Sequence, residues 1–335
     1  MEAIEIDTVK PIVKSYCNLI AMGKGLDPGG SAGDFDDAIV LEVPLPWKNT
    51  MYHEAGALPQ EVINLLGLWS ERYRAGQGYR HRSLMVAPDA AYSQKGHRRV
   101  MFYTRQPGMF ARFSKIEYLV PEAEMGALIW ALYEAPDDLS RFDIYLTPEH
   151  DLIREILVCT HGTVDAACAK FGYPLYNYLR KHHATENLRV WRVSHFGGHV
   201  FAPTMMDMPT GHYWAYVEEA QAAQIVQQSG DVGALYGHYR GWAGLEDGFL
   251  QAAERELWMR YGWDWFAADK SGEMIATGDN PEDPEWAEVR IDYMLHGSSE
   301  TGSYRARVEV CRRITTSHST NSDVYPYPQY RVTEF

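Results

Sequence analysis

Two cysteines and two histidines stand close enough in the sequence to serve one site: Cys159, Cys168, His195 and His199. Eight residues separate the cysteines, and three separate the histidines. The histidines flank Phe-Gly-Gly. Because two adjacent glycines disfavour a regular helix, this stretch predicts a loop that turns both imidazoles toward one object. Two thiols and two imidazoles together form the donor set of a metal centre.

The spacing of these donors separates two kinds of metal centre. Tetrahedral zinc and a [2Fe–2S] cluster both accept four soft or borderline ligands. Structural zinc sites usually take their cysteines from a knuckle about two to four residues apart, whereas the eight-residue loop here suits a wider [2Fe–2S] core. The spacing therefore favours a cluster over a Cys2His2 zinc site with a structural or interaction role. A thioredoxin-like dithiol oxidoreductase that uses Cys159 and Cys168 is the other alternative, but it lacks the C-x-x-C spacing.

The segments around the four donors predict a small thioredoxin-like domain. "EILVC", which ends at Cys159, indicates a buried strand, "DAACAKFGYPLYNYLRKHH" a helix with Asp165 as its N-cap, and "NLRVWRVSH" a second strand. "TMMDMP" and "HYWAYV" indicate a hairpin, and "EEAQAAQIVQQ" a closing helix. The order β-α-β, β-hairpin, α places all four donors in one domain. In such a domain we expect a cis peptide bond before Pro203.

Three units are predicted along the chain, which gives an α/β fold class. Residues 1–150 form an α/β N-terminal domain, in which the strands "DDAIVLEVPLPW", "RRVMFYTR" and "RFDIYLTP" alternate with the helices "LPQEVINLLGLWSERYRAG" and "PEAEMGALIWALYE". Residues 151–228 form the thioredoxin-like domain. Residues 229–335 form an α+β extension with the helix "GFLQAAERELWMRYGW" and an antiparallel hairpin of "AEVRIDYMLHG" and "GSYRARVEVCRRI". The polar, proline-broken tail beyond them either lies over the body or is disordered.

Three separated motifs, "VLEVPLPW", "CTHGTVDAACAKFG" and "VWRVSHFGGHVFA", resemble the sucrase/ferredoxin-like family in sequence and order. The resemblance implies a thioredoxin-like ferredoxin domain with a [2Fe–2S] cluster. The chain is similar to the branch of the family in which two histidines replace two of the usual cysteines. The ligands that it implies are Cys159, Cys168, His195 and His199. One position departs from the family pattern, because Val164 stands where the resemblance implies an arginine next to the site.

Composition restricts the partners of such a protein. The 335 residues carry a formal net charge of −14, which opposes nonspecific binding to nucleic acid or to an anionic membrane and favours a redox partner with a basic surface. No apolar run approaches the roughly 18 residues of a membrane span. The N-terminus lacks the basic flank and apolar core of a signal peptide, which predicts a cytoplasmic protein.

The sequence thus predicts an electron carrier rather than a substrate-converting enzyme. Proton uptake would accompany the electron wherever the second ring nitrogen of a histidine ligand titrates. Cys17 and Cys311 have no donor-like neighbours in the sequence, so we expect two buried free thiols without a role. For His161 we expect a structural hydrogen bond next to the site.

Overall fold

The computed structural model describes residues 15–334 apart from positions 53, 55, 79, 149–151, 281, 298, 299 and 321. The N-terminal segment used above to predict location lies largely outside the described residues. The helices are α1 (Cys17–Gly23), α2 (Gln60–Arg74), α3 (Met125–Tyr133), α4 (Ala166–His182), α5 (Glu219–Gln227) and α6 (Gly248–Tyr261). Within this part of the chain, every helix is too short or too polar to cross a membrane.

The described strands form one nine-stranded mixed sheet and one four-stranded antiparallel sheet. The strands of the large sheet are β1 (Asp37–Glu42), β2 (His81–Val86), β3 (His97–Thr104), β4 (Ser114–Pro121), β5 (Arg154–Cys159), β6 (Leu188–Val193), β7 (Met205–Met208), β8 (His212–Trp214) and β9 (Tyr239–Trp242). Their order is β4-β3-β1-β2-β6-β5-β7-β8-β9. The second sheet contains β10 (Asp269–Thr277), β11 (Trp286–Leu295), β12 (Glu300–Ser317) and β13 (Val324–Glu334), in that order.

The predicted thioredoxin-like order is confirmed by β5, α4, β6, the β7–β8 hairpin and α5. Strands β5 and β6 are parallel, and β7 pairs antiparallel to β5 on its other side. Asp165 caps α4 as predicted, since its carboxylate accepts a 2.8 Å hydrogen bond from the amide of Ala167. The Ala202–Pro203 bond is cis, as expected. This unit is continuous with the N-terminal strands, because β2 pairs with β6 at Val86 and Val193.

The N-terminal prediction is correct for two strands and both helices but wrong for "RFDIYLTP". Most of that segment belongs to a 3-10 helix, Pro136–Tyr145, which starts with a proline at a position where helices tolerate one. Asp137 and Asp138 lie in its first turn, where the helix dipole favours negative charge. The division of the chain at residues 150 and 228 stays a prediction, although the large sheet contains strands from both sides of each boundary.

The C-terminal hairpin is confirmed as β11 and β12, and the tail after it forms β13. This strand contains Pro326 and Pro328, which fit because β13 is an edge strand with a partner on one side only. The tail is therefore ordered where it is described. Trp191, Tyr213 and Trp214 are fully buried core residues, as strand aromatics usually are.

Candidate functional site

The four predicted donors lie where the thioredoxin-like strands end. Cys159 is the last residue of β5, and Cys168 lies in the first turn of α4. His195 follows β6 by two residues, and His199 begins a short 3-10 turn. The ring centroids of the two histidines are 5.2 Å apart.

Two glycines produce this approach of the imidazoles. Gly197 and Gly198 have φ angles of 94° and 79°, which lie in the left-handed region that favours glycine. The chain between His195 and His199 is therefore a tight loop rather than a helix, as the sequence predicted. The loop consequently brings the two imidazoles together, and His195 reaches Cys159 at the end of β5.

Three of the four donors converge on one point. The Nδ1 atom of His195 lies 3.9 Å from the Sγ atom of Cys159 and 3.9 Å from the Sγ atom of Cys168. The donor atoms of these three residues lie within 4.8 Å of one another, so they could hold one metal ion together. Both sulfurs are only 1% exposed. The donor set fits a soft or borderline metal in a water-poor pocket.

His199 belongs to an adjacent group. Its Nδ1 atom lies 3.8 Å from the Sγ atom of Cys17 and 3.7 Å from Oδ2 of Asp165. Burial, and next the nearby His195, lower the pKa of His199 to about 4. This imidazole is therefore neutral at pH 7, which is the form that binds a metal.

The two cysteines share their protons unequally. A hydrogen bond from Cys168 is the main cause that lowers the pKa of the Cys159 thiol, and His195 contributes to the same shift. The pKa of Cys168 is raised by the same hydrogen bond and by burial. Cys159 is consequently the first of the pair to become a thiolate, the form in which cysteine binds metals.

Two neighbouring loops hold the site from outside. The amide of His195 donates a 3.2 Å hydrogen bond to Nδ1 of His161, so His161 forms the hydrogen bond next to the site that was expected of it. The indole of Trp47 packs edge-on against His161, with ring centroids 5.7 Å apart, and the Trp47 carbonyl accepts a 2.8 Å hydrogen bond from Thr163. The "VLEVPLPW" motif thus contacts the loop that follows Cys159.

The structure adds three residues that sequence reasoning missed. Cys17, for which no role was predicted, is fully buried beside His199. Thr320 donates through its amide and its hydroxyl to the two carboxylate oxygens of Asp165, both at 2.7 Å. Arg240 in β9 donates to the carbonyl of Gly197 at 3.1 Å. No local pattern links Cys17, Thr320 and Arg240 to the site, because 182, 155 and 43 positions respectively separate them from their partners in the chain.

The expectation for Cys311 is wrong. This cysteine is exposed in β12, where its thiol donates to the carbonyl of Gln329 at 3.2 Å. Side chains alternate between the two faces along a strand, and Cys311 lies next to a register shift between Val310 and Arg312. Its burial could therefore not be derived from composition alone.

Comparison with known proteins identifies one relationship. A family model described as sucrase/ferredoxin-like matches residues 28–241, which is more than half of the chain and includes all four predicted donors. No curated protein and no solved structure matches the chain.

Proposed function

The chain belongs to the sucrase/ferredoxin-like family, and we propose that it is a one-electron carrier with a [2Fe–2S] cluster. The proposed ligands are Cys159, Cys168, His195 and His199. The observation that carries this proposal is the convergence of two buried thiols on His195, with the imidazole of His199 5.2 Å from it. The cluster, when bound, would accept and release single electrons.

In this proposal the chain's own residues supply two kinds of donor. Cys159 and Cys168 supply negative donors in a pocket that excludes water, and His195 and His199 supply neutral donors. We expect the cysteines to bind one iron and the histidines the other, since each pair is held by its own loop. Such an asymmetric ligand set raises the reduction potential above that of plant-type ferredoxins with four cysteines.

Metal and sulfide analysis of protein purified without oxygen tests the cofactor. We expect a coloured protein with equal amounts of iron and acid-labile sulfide. Cys159→Ser should remove most of both, because a serine hydroxyl is a poor ligand for iron in such clusters. Cys311→Ser is the matched control, because Cys311 is an exposed cysteine on another sheet, and it should retain both. Iron without sulfide, or no iron at all, contradicts the proposal.

A zinc site is the second candidate, and one observation favours it. The donor atoms of Cys159, Cys168 and His195 lie within 4.8 Å of one another, which is close enough for a single ion. Zinc is colourless and redox-silent, so the same analysis distinguishes the two candidates. A dithiol oxidoreductase is less well supported, since both sulfurs are buried away from a disulfide substrate.

We further propose a redox protein with a basic surface as the partner, and the cytoplasm as the location. The net charge of −14 favours a basic partner, and the cysteines in the described residues are free, as a reducing compartment requires. The reduced protein should transfer electrons to a cationic complex such as hexaammineruthenium(III) faster at low salt than at high salt. Ferricyanide, an anionic acceptor, is the matched control and should show the opposite dependence. Equal salt dependence for both acceptors contradicts a role of net charge.

A further inference from the structure

We propose that Arg240 is the cation that balances the charge of the metal centre and the positioning residue that fixes the loop of His195 and His199. This inference rests on the proposed function and adds a residue from outside the thioredoxin-like unit to the site. It would make the site depend on β9 as well as on the two donor loops.

Arg240 is buried but donates only to neutral oxygens. Only 3% of the surface of Arg240 is exposed. Nη1 donates to the carbonyl of Gly197 at 3.1 Å, Nε to the hydroxyl of Ser31 at 3.1 Å, and Nη2 to the carbonyl of Ser31. The rings of Phe201 and Tyr213 pack against this guanidinium, each with its centroid 5.4 Å from the guanidinium carbon.

No carboxylate among the described residues forms an ion pair with Arg240. A buried charge without a partner costs several kcal/mol, and a guanidinium stays protonated at any physiological pH. Arg82 lies near it and adds further positive charge rather than balancing it. A negative group near this loop would balance the charge, and the cysteine ligands of a metal centre held beside His195 would be thiolates.

The same guanidinium packs against the loop of the two histidines. A Cβ atom added at Gly198 would lie 2.6 Å from the guanidinium carbon of Arg240. Together with the hydrogen bond to Gly197, this contact leaves room only for glycine at position 198. Gly198 is thus explained twice, by its left-handed backbone and by the arginine that lies on it, whereas Gly197 is explained by its left-handed backbone alone.

Arg240 also joins this loop to the N-terminal part of the chain. Its backbone carbonyl accepts hydrogen bonds from the amides of Gly30 and Ser31 at 2.9 and 3.1 Å, while its side chain donates to Ser31. The glycine-rich segment around Ser31, β9 and the loop of His195 therefore meet at one residue. Movement of the loop would break several of these contacts together.

Reduction of a cluster held by the four proposed ligands would add a negative charge near the loop that Arg240 contacts. An opposite charge at short range in a site of low polarity stabilises the reduced form. Arg240 should consequently raise the reduction potential, and its loss should lower it. Its loss should also loosen the loop that holds two ligands.

Two substitutions separate charge from position. Arg240→Gln removes the charge, and we expect a lower potential in a redox titration followed by electron paramagnetic resonance. Arg240→Lys keeps the charge but loses the planar fork, so we expect a potential near that of the parent protein. In both variants a chelator should remove iron roughly 10- to 100-fold faster, as with other residues that support metal ligands.

Arg255→Gln is the matched control, because Arg255 is an equally buried arginine that pairs with the carboxylate of Asp27. It should leave the potential and the resonance spectrum unchanged. A parental potential in Arg240→Gln with bound cluster overturns the charge role. If that variant does not fold, Arg240→Lys decides, and iron loss at the parental rate overturns the positioning role. Absence of iron and sulfide from the parent protein would instead refute the proposed function itself.

Discussion

Cys17 and Cys168 are two buried cysteines of the site with different expected roles. Cys17 is 0% exposed and Cys168 1%, and each has a sulfur within 4 Å of an Nδ1 atom of a histidine. Cys168, however, lies in one group with Cys159 and His195, whereas Cys17 lies in the adjacent group with Asp165 and His199. We therefore propose that Cys17 is a second contact of His199 rather than a ligand.

Replacement of each cysteine tests this distinction. Cys17→Ala should retain iron and sulfide at the parental level, because the proposed ligand set stays complete. Cys168→Ala should lose most of both, since one iron loses a thiolate donor. Iron and sulfide content relative to protein is the measurement. Loss of the cluster in Cys17→Ala would instead place Cys17 among the ligands.

At the scale of elements, the packing of α4 on β5 sets the distance between the two cysteines. Gly172 lies on the face of α4 that touches the end of β5, and a Cβ atom there would overlap the carbonyl oxygen of Cys159. The helix can approach the strand this closely only because position 172 has no side chain. Cys168 is one turn earlier on the same helix.

Gly172→Ala should therefore push α4 away from Cys159 and lower both stability and iron content. Overpacking of this kind costs about 1–3 kcal/mol. Gly67→Ala in α2 is the matched control, because a Cβ atom there meets no atom within 4 Å. That substitution should stabilise the protein by about 0.5–1 kcal/mol and leave the iron content unchanged. Urea unfolding and iron analysis measure the two effects, and equal iron content in both variants would contradict this account of Gly172.

The elements that could be predicted from the sequence are those with a local cause. The α4 helix has a cap and an amphipathic face, and the β11–β12 hairpin alternates buried and exposed residues. The four donors were predicted for a similar reason, because the two members of each pair lie close together in the sequence. The "RFDIYLTP" strand was wrong because Pro136 and two aspartates start a helix before it. The residue pattern within the quoted segment does not indicate that a helix begins before it.

At the scale of the whole molecule, the contacts that complete the site connect distant parts of the chain. Thr320 reaches Asp165 from the end of β12, across 155 positions, and Arg240 reaches Ser31 across 209. Contacts of this separation depend on how the sheets pack, and no spacing rule predicts them. The sequence therefore indicated the donors, while the residues that hold them became visible only in the fold.

A buried group of charges makes a second long-range connection, between the predicted N-terminal and thioredoxin-like domains. Its members are Arg99 in β3, Lys115 and Glu117 in β4, Glu155 in β5, and Arg189 in β6. Lys115 Nζ lies 2.7 Å from Glu155 Oε1, although β4 and β5 are not neighbours in the sheet. The sheet must therefore curl enough to bring these strands together.

Glu117 is the carboxylate on which this group depends most. Burial alone would raise its pKa, but Arg99, Lys115 and Arg189 together lower it to about 2. A carboxylate whose pKa is lowered by folding stabilises the protein above its ordinary pKa of about 4.3, and this contribution is lost as the pH falls toward 2. Burial raises the pKa of Glu155. The effect of this shift on stability therefore has the opposite sign to that of Glu117, and Glu155 takes up its proton before Glu117 as the pH falls.

Glu117→Gln should destabilise the protein at pH 7 by about 3–5 kcal/mol, because it leaves buried cations without their partner. The difference between parent and variant should shrink as the pH falls below about 4.3, since the unfolded parent then takes up a proton at this carboxyl while the folded parent keeps it ionised down to about pH 2. Glu309→Gln is the matched control, because Glu309 is a carboxylate paired with Arg331 on the four-stranded sheet, and it should change stability little at any pH. Urea unfolding at several pH values measures the difference in the free energy of unfolding.

Hydrogen exchange measures which strands open more often in Glu117→Gln. We expect faster exchange in both β4 and β6, since Glu117 joins them through Arg189. A difference that stays constant with pH, or faster exchange confined to β4, would contradict this role of the buried charges.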